Sequence, residues 1–349
     1  MTAVGRPRTL RLAFVGFGSV GRRFAELLGG PYGKILRRSG LSTRVVGVAT
    51  ARHGSAIDAR GLAVHEVLER VRAGVSLEPM HRGRPVRSNL EFIGRVPAHV
   101  LFELTPLDPR RGQPALTHVR AALSIGMHVV TANKGPVAFA RRRLLRLAER
   151  QGRRFLHEDA VMDGLPIFNL VERCLPGCRV EGFRGLLNST TTRILSSMER
   201  GVSFADALRA AQQAGVAEAD PANDIDGWDA ALKACVLANA LMDADVRPDQ
   251  VERRGIRRLR LKSVQAASGR GRHVRLIARA RRENRKVHIR VAPEAVPAGD
   301  LLVSRGADGV LVLQTDLMGE VGLWEGAGGV DQTAYGLLAD LLALADARP

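Results

Sequence analysis

The sequence predicts an α/β protein in which a doubly wound parallel sheet is followed by a second domain of α+β type. Over the first 151 residues, short apolar runs alternate with stretches of helical period, the pattern of strand–helix–strand units in a parallel sheet. After residue 152 the alternation gives way to short β-like runs between long helical stretches. A length of 349 residues is sufficient for two such domains.

The first domain, residues 1–151, contains four apolar runs that we predict as strands, at 10–15, 44–49, 99–104 and 128–131. Helical periods are found up to residue 28 and over 62–71, 112–125 and 138–151. The stretch 29–40, which contains glycine and proline, is predicted as a connection.

The second domain, residues 152–318, has predicted strands at 184–187, 273–278, 287–291 and 309–315, and helices at 203–214 and 228–242. A C-terminal segment, residues 319–349, ends in a helix over roughly 332–345. That helix is apolar enough to require a packing partner, and we expect it to return to the first domain.

Composition excludes several classes of protein. Hydrophobic residues make up 45% of the chain, which excludes a disordered protein. Lys and Arg number 53 against 35 Asp and Glu, a net charge of +18, but the arginines are dispersed and aromatics are only 4%, so no specific nucleic-acid surface is expected. Three cysteines and the lack of an apolar run near 20 residues favour a cytoplasmic protein without a membrane partner.

A glycine motif follows the first predicted strand. Gly16, Gly18 and Gly21 have the spacing of a Rossmann-type dinucleotide site, in which the glycines allow a tight turn, a close approach of pyrophosphate and close helix–strand packing. We therefore predict that this domain binds a nicotinamide dinucleotide.

The end of the second strand favours NADP over NAD. An NAD site places a carboxylate there, but this chain has Thr50, Arg52, His53 and Ser55, and its next acidic residue is Asp58. Arg52 and the neighbouring hydroxyls suit a 2′-phosphate. NAD remains the alternative, because Arg52 can equally be a surface arginine.

Two lysines are candidates for chemistry, since only five of the 53 basic residues are lysine. Lys134 lies at the C-terminal end of the fourth strand, where open α/β sheets bind ligands. Lys233 is the only interior charge of a predicted buried helix and shares a face with Asp229. Burial lowers the pKa of a lysine toward the acid–base range, so Lys233 is our candidate for proton transfer.

Three polar segments complete the list of candidates. Residues 218–229 carry five carboxylates, which suit a substrate ammonium or a metal, or form a solvated loop in which Asp226 caps the next helix. Residues 158–166 offer carboxylates and carbonyls for a hard cation. Residues 188–192 are short polar donors, suited to a carboxylate or to a helix start.

Together these motifs resemble homoserine dehydrogenase. The similar stretches are GFGSVG (16–21), ELTP (103–106), VVTANKGPVA (129–138), EDAVMDGLP (158–166), NSTTTRIL (188–195), GVAEADPANDIDGWDAALK (215–233) and GAGGVDQTAYGLLADLL (326–342). The resemblance implies a short-form NAD(P)-dependent oxidoreductase of threonine and methionine biosynthesis, interconverting L-homoserine and L-aspartate 4-semialdehyde. It also implies a homodimer formed through the second domain.

The resemblance implies a role for each matching residue. Lys134 and Lys233 would flank the reacting oxygen, with Asp229 orienting Lys233; Glu218 and Asp224 would hold the substrate amino group, and Thr190 would lie near its carboxylate. The implied cofactor contacts are Gly16, Gly18, Val20, Gly21, Thr105 and Lys134. The implied ligands of a monovalent cation such as Na⁺ are the side chain of Glu158 and the carbonyls of Val161, Asp163 and Leu165.

The sequence departs from the family pattern at Thr192, Arg193, Val216 and Trp324–Glu325. These departures leave open a related oxidoreductase acting on another amino-acid alcohol or semialdehyde. The high positive charge leaves open a third interpretation, a basic nucleic-acid-binding or regulatory protein without catalysis.

Overall fold

The computed structural model describes residues 8–303, 309–326 and 328–346. Residues 1–7, 304–308, Ala327 and 347–349, which belong to stretches discussed above, lie outside the described residues. The chain divides into two compact units, one of residues 1–166 with 329–349 and the other of residues 167–328. The sequence predicts a domain boundary after residue 151, and the observed division lies later, after residue 166. The chain remains in the first unit beyond residue 151 because a short strand at Phe155–Leu156 pairs with the first sheet.

The first unit is built on a six-stranded sheet of order β3-β2-β1-β4-β5-β6. The strands are β1 (Arg8–Val15), β2 (Leu41–Ala49), β3 (Ser55–Ile57), β4 (Val100–Glu103), β5 (His128–Thr131) and β6 (Phe155–Leu156). The helices are α1 (Ser19–Gly29), α2 (Pro31–Arg38), α3 (Val64–Arg72), α4 (Asn89–Arg95), α5 (Ala115–Ser124) and α6 (Lys134–Arg150). All strand pairs are parallel except β2–β3, which confirms the predicted doubly wound sheet.

The second unit contains another six-stranded sheet, of order β12-β11-β7-β9-β10-β8. Its strands are β7 (Val180–Leu186), β8 (Glu252–Arg253), β9 (Arg272–Glu283), β10 (Lys286–Pro297), β11 (Gly309–Thr315) and β12 (Gly319–Glu325). Its helices are α7 (Ile167–Asn169), which continues as a π-helical turn to Cys174, α8 (Ser189–Glu199), α9 (Phe204–Gln213), α10 (Ala222–Ile225), α11 (Trp228–Leu241) and α12 (Leu261–Ser268). Pairing is antiparallel except between β8 and β10, as an α+β domain requires.

The last helix, α13 (Val330–Asp346), belongs to the first unit. Leu337, Leu338 and Leu341 are fully buried in the same core as Phe14 and Phe24. Burial of a leucine stabilises a fold by about 1.5–3 kcal/mol, so the apolar face of α13 accounts for its position.

One local prediction in the first unit is wrong. Residues 29–40 are not a simple connection but contain α2, which begins at Pro31. Proline at the first turn is compatible with a helix because that residue donates no intrahelical hydrogen bond. Gly33 is required for packing, since a Cβ there would clash with the carbonyl of Leu28.

Candidate functional site

The glycine turn joins β1 to α1 with the geometry of a dinucleotide-binding motif. Gly16 has φ +88°, and a Cβ there would lie 2.5 Å from the backbone of Leu104. Gly21 faces the Leu104 side chain, which a Cβ would approach to 3.3 Å, and Val20 packs against the core. Gly18, the N-cap of α1, is different: a Cβ there would meet nothing within 4 Å.

The open space at Gly18 fits a cofactor phosphate. The first N–H groups of a helix have no intrahelical acceptor and attract anions. No neighbouring protein atom prevents a side chain at Gly18. Because the residue is nevertheless a glycine, the backbone at the start of α1 is accessible to pyrophosphate.

Arg52 lies in the tight turn between β2 and β3. The hydroxyl of Thr50 donates to the carbonyl of Gly54 (3.0 Å) and accepts from the N–H of His53 (2.7 Å), which fixes the turn. The Arg52 side chain is exposed and forms no ion pair with a described residue. A guanidinium at this end of β2 is therefore available to a 2′-phosphate.

A buried carboxylate organises the ends of β4 and β5. Glu103 is fully buried; it accepts hydrogen bonds from the hydroxyls of Thr105 and Thr131 and pairs with His118 Nδ1 at 3.2 Å. Asn133 Nδ2 donates to the carbonyl of Thr105 at 2.9 Å. Thr105, a predicted cofactor contact, is thus held by Glu103, two positions earlier, and by Asn133, 28 positions later; local sequence patterns do not reveal the contact with Asn133.

Lys134 is the first residue of α6. Asn133 caps that helix by accepting from the N–H of Gly135 at 2.9 Å. The cap fixes the backbone orientation of Lys134 directly after β5, as predicted. Burial and the Asp163 charge raise the carboxyl pKa of Asp159, and the positive charge of Lys134 partly opposes that rise.

The loop that follows β6 contains the predicted cation ligands. Glu158 and Val161 are buried, Leu165 is half-buried and Asp163 is exposed, which is compatible with Asp163 contributing its carbonyl. Burial, and then the Asp163 charge, raise the pKa of Asp159 to about 9. Within the described ranges no group of three or more His, Cys, Asp or Glu side chains could hold a metal, so a cation here would depend on carbonyl oxygens and the Glu158 carboxylate. Such hard oxygen donors suit an alkali or alkaline-earth ion.

In the second unit, Lys233 lies on a helix buried on nearly every side. Alanines, leucines and Cys235 of α11 are buried, and the Lys233 side chain is 19% exposed. Its Nζ donates to the carbonyl of Leu187 at 2.8 Å and lies 3.6 Å from Asp229 Oδ2. The predicted burial and pairing of Lys233 are therefore present.

Asn188 connects two carboxylates of this cluster. Its Nδ2 donates to Asp224 Oδ1 at 2.7 Å and to Asp229 Oδ2 at 3.1 Å, while its Oδ1 caps α8 by accepting from Thr191 N–H at 2.9 Å. Burial, and then the charge of Asp229, raise the pKa of Asp224 above its usual value. The sequence interpretation missed this bridging role, although an asparagine between a strand and a helix start is itself a capping signal.

The remaining substrate candidates differ in position. Thr190 is buried near this cluster, where its hydroxyl donates to the carbonyl of Val216 at 3.1 Å. Glu218 is exposed in the loop before α10, and its side chain is not part of the hydrogen-bonded cluster. The predicted capping by Asp226 is wrong: Gly227, with φ +78°, is the N-cap of α11, and Asp226 pairs with Arg257 instead.

The departures from the family pattern leave the carboxylates and Lys233 in place. Arg193 is exposed, and so is Trp324. Thr192 is buried and donates to the Asn188 carbonyl at 3.1 Å, which supports the start of α8.

The first unit, with its glycine turn, and the second, with its lysine–carboxylate cluster, are the parts of an NAD(P)-dependent oxidoreductase. A family model for homoserine dehydrogenase matches residues 166–342, and a model for the NAD binding domain of homoserine dehydrogenase matches residues 16–158. The chain belongs to the homoserine dehydrogenase family.

Individual relatives agree with this assignment. Homoserine dehydrogenase of Methanocaldococcus jannaschii is 35% identical over 95% of this chain and 97% of its own length. NAD(+)-dependent homoserine dehydrogenase of Pseudomonas canavaninivorans is 33% identical over 95% of each chain. A hyperthermophilic archaeal homoserine dehydrogenase in complex with NADPH superposes with a TM-score of 0.79 at 29% identity, covering 96% of this chain and 97% of that one. Because the relatives include an NAD⁺-dependent enzyme and an NADPH complex, cofactor preference must be argued from this chain's own residues.

Proposed function

We propose that this protein interconverts L-homoserine and L-aspartate 4-semialdehyde. The observation that carries the proposal is the cluster of Asn188, Asp224, Asp229 and Lys233, in a chain that belongs to the homoserine dehydrogenase family. When bound, a nicotinamide cofactor supplies the hydride acceptor or donor.

Lys233, as the neutral amine, is proposed to take the proton that the substrate hydroxyl loses during oxidation, and so to become an ammonium. Most residues of α11 are buried, and the Lys233 Nζ is held by the Leu187 carbonyl and by Asp229. These contacts orient Nζ, so that Asp229 acts as a positioning residue. Lys134 is proposed as a second ammonium that stabilises negative charge on the reacting oxygen.

Asp224 is proposed to bind the substrate ammonium, with Glu218 assisting from its exposed loop. A cation beside Asp224 would favour the ionised carboxylate, which opposes the effect of burial on its pKa. Thr190 is proposed to lie near the substrate carboxylate, because its buried hydroxyl is in the first turn of α8, the helix that Asn188 caps.

The substrate assignment is tested by comparing L-homoserine with 4-hydroxybutanoate, which lacks the amino group, and with L-serine, which has a shorter chain. We expect kcat/KM for 4-hydroxybutanoate to be at least about 100-fold lower, because the binding carboxylates would be left unpaired. Equal rates for the two four-carbon substrates would contradict ammonium recognition, and a preference for another amino alcohol would indicate the related oxidoreductase.

NADP is the proposed cofactor, bound by Gly16, Gly18, Val20, Gly21, Thr105 and Lys134, with Arg52 at the 2′-phosphate. Arg52→Ala should raise KM for NADP⁺ about tenfold and leave KM for NAD⁺ nearly unchanged. Arg38→Ala, which removes an exposed arginine at the end of α2, is the matched control. An equal effect of Arg52→Ala on both cofactors would remove the 2′-phosphate role.

A monovalent cation such as Na⁺ is proposed in the loop of Glu158, Val161, Asp163 and Leu165. We expect Na⁺ to raise the melting temperature relative to a bulky organic cation at equal ionic strength, and Glu158→Gln to abolish that increase. Identical melting temperatures in both salts would contradict the site.

A homodimer is proposed to form through the second unit. Leu301, Leu317, Met318 and Trp324 are 60–71% exposed at or beside β12, an edge strand of the sheet. Exposed apolar side chains at an edge strand favour association. Trp324→Glu should reduce the mass measured by light scattering from two chains to one; no change would assign the dimer surface elsewhere.

A cytoplasmic location is proposed from the three free cysteines. Across the described ranges, no helix has both the length and the apolar character that a bilayer crossing requires. Fractionation of the native organism, followed by immunodetection in the cytoplasmic fraction, tests this proposal.

A further inference from the structure

The second unit contains a cavity of about 620 Å³ whose charged lining the reaction does not use. We call it the arginine cavity; its charged and aromatic lining residues are Asp226, Trp228, Arg253, Arg254, Arg257 and Arg258. It shares no lining residue with the cluster of Asn188, Asp224, Asp229 and Lys233. Its volume is within the range of about 300–1,000 Å³ that is typical of small-molecule sites.

Positive charge exceeds negative charge in this cavity. Four arginines face one carboxylate, Asp226, which already accepts two hydrogen bonds from Arg257 at 2.9 and 3.1 Å. Arg254 and Arg258 are exposed and form no ion pair with any residue in the described part of the chain. The charged lining residues therefore carry a net charge of +3, and Asp220, outside the lining, acts on Arg257. The guanidinium groups of Arg254 and Arg258 are available to a ligand.

The backbone beneath the arginines is rigidly held. Arg253 is in β8, its guanidinium donates to the Asp226 carbonyl, and it lies 3.8 Å over the Trp228 ring. The N–H of Arg254 donates to the Val291 carbonyl at 2.8 Å. Gly255 allows the chain to pass so close to α10 that a Cβ would clash with the Ile225 carbonyl.

Arg253 is partly buried, and no carboxylate of the described residues forms an ion pair with its guanidinium. Burial lowers the pKa of its guanidinium, and Asp226 only partly opposes this effect. A bound anion would relieve the unfavourable desolvation of the arginine.

We propose that the arginine cavity binds a small anion that carries two or more phosphate groups. Guanidinium groups match phosphate oxygens in planar, two-point hydrogen bonds, and four of them exceed what one carboxylate can neutralise. The concave shape favours a small polyphosphate over the rod-like backbone of a duplex.

Isothermal titration with inorganic tripolyphosphate tests this proposal. The full-length protein is first saturated with NADP⁺, so that phosphate sites in the first unit are occupied. Wild type is compared with Arg254→Ala/Arg258→Ala and with Arg281→Ala/Arg285→Ala; the second pair removes two exposed arginines of the same unit outside the cavity. Both double variants change the net charge equally, and circular dichroism checks their folding.

We expect one saturable tripolyphosphate site, at least tenfold weaker in the cavity variant and unchanged in the control variant. Two competitors then identify the kind of ligand. If a nucleoside triphosphate at equal concentration displaces tripolyphosphate, and a single-stranded oligonucleotide at equal phosphate concentration does not, the cavity binds a small molecule. The absence of saturable binding, an equal loss of affinity in both double variants, or competition by the oligonucleotide alone would overturn the proposal.

Discussion

The ammonium of Lys233 lies 3.6 Å from the carboxylate of Asp229, one helical turn earlier on the same buried helix. The Asp229 oxygen that approaches Lys233 also accepts the amide hydrogen bond of Asn188 at 3.1 Å. The position of the lysine is therefore linked, through one carboxylate, to the residue that holds Asp224.

Asn188→Ala is predicted to raise KM for homoserine about tenfold and to lower the free energy of unfolding by about 1–3 kcal/mol. The variant loses the cap of α8 and leaves Asp224 and Asp229 without a shared donor. Ser203→Ala removes the corresponding cap of α9 and is the matched control, expected to lower stability by about 1 kcal/mol without changing KM. If both variants left KM unchanged, Asn188 would have only a structural role.

Two glycines of one motif are predicted to respond differently to alanine. Gly16→Ala should destabilise the fold strongly, because the residue has φ +88° and a Cβ would lie 2.5 Å from Leu104 backbone atoms. Gly18→Ala should keep stability within about 1 kcal/mol, because its Cβ would meet no neighbouring atom. The same Cβ would occupy space that the cofactor pyrophosphate needs, so NADP⁺ binding should weaken about tenfold or more. Chemical denaturation and cofactor titration separate the two effects; normal NADP⁺ affinity in Gly18→Ala would refute the phosphate role of that position.

His128 is predicted to contribute a loss of stability as pH drops from about 6.5 to about 4. Burial, and then Arg153, lower the pKa of this histidine to about 4, and its Nδ1 accepts the N–H of Arg154. The unfolded chain, with a histidine pKa of about 6.5, therefore binds more protons than the folded chain between these values.

His128→Gln should remove this contribution, which is at most about 1.4 kcal/mol per pH unit. His65→Gln, at an exposed position on α3, should leave it as in wild type. The measurement is urea unfolding at a series of pH values; identical slopes for wild type and His128→Gln would show that this histidine does not contribute.

The sequence predicted the parts of the site that depend on local pattern. Spacing and strand context are sufficient to identify the glycine turn, the position of Lys134 after β5, and the buried helix that carries Lys233. In each case the signal lies within about 15 consecutive residues, where period and turn chemistry are informative.

Contacts between distant positions could not be predicted in the same way. Asn188 meets carboxylates 36 and 41 positions away, and Glu103 meets His118 and Thr131 through folding of the sheet. The start of α11 was misplaced because Asp226 is a good capping residue by type, but its side chain is attracted to Arg257, 31 positions later. These contacts depend on side chains that the fold brings together from distant positions, and local sequence propensity does not determine them.

Proton transfer through Lys233 is tested most directly by single-turnover oxidation of L-homoserine by Lys233→Met, with Lys262→Met as the control. Lys262 is an exposed lysine on α12 of the same unit, so both variants lose one ammonium from that unit. We predict that Lys233→Met binds substrate and cofactor but forms NADPH about 10²–10⁴-fold more slowly, whereas Lys262→Met is unchanged. A Lys233→Met rate within about threefold of wild type would contradict proton transfer through Lys233.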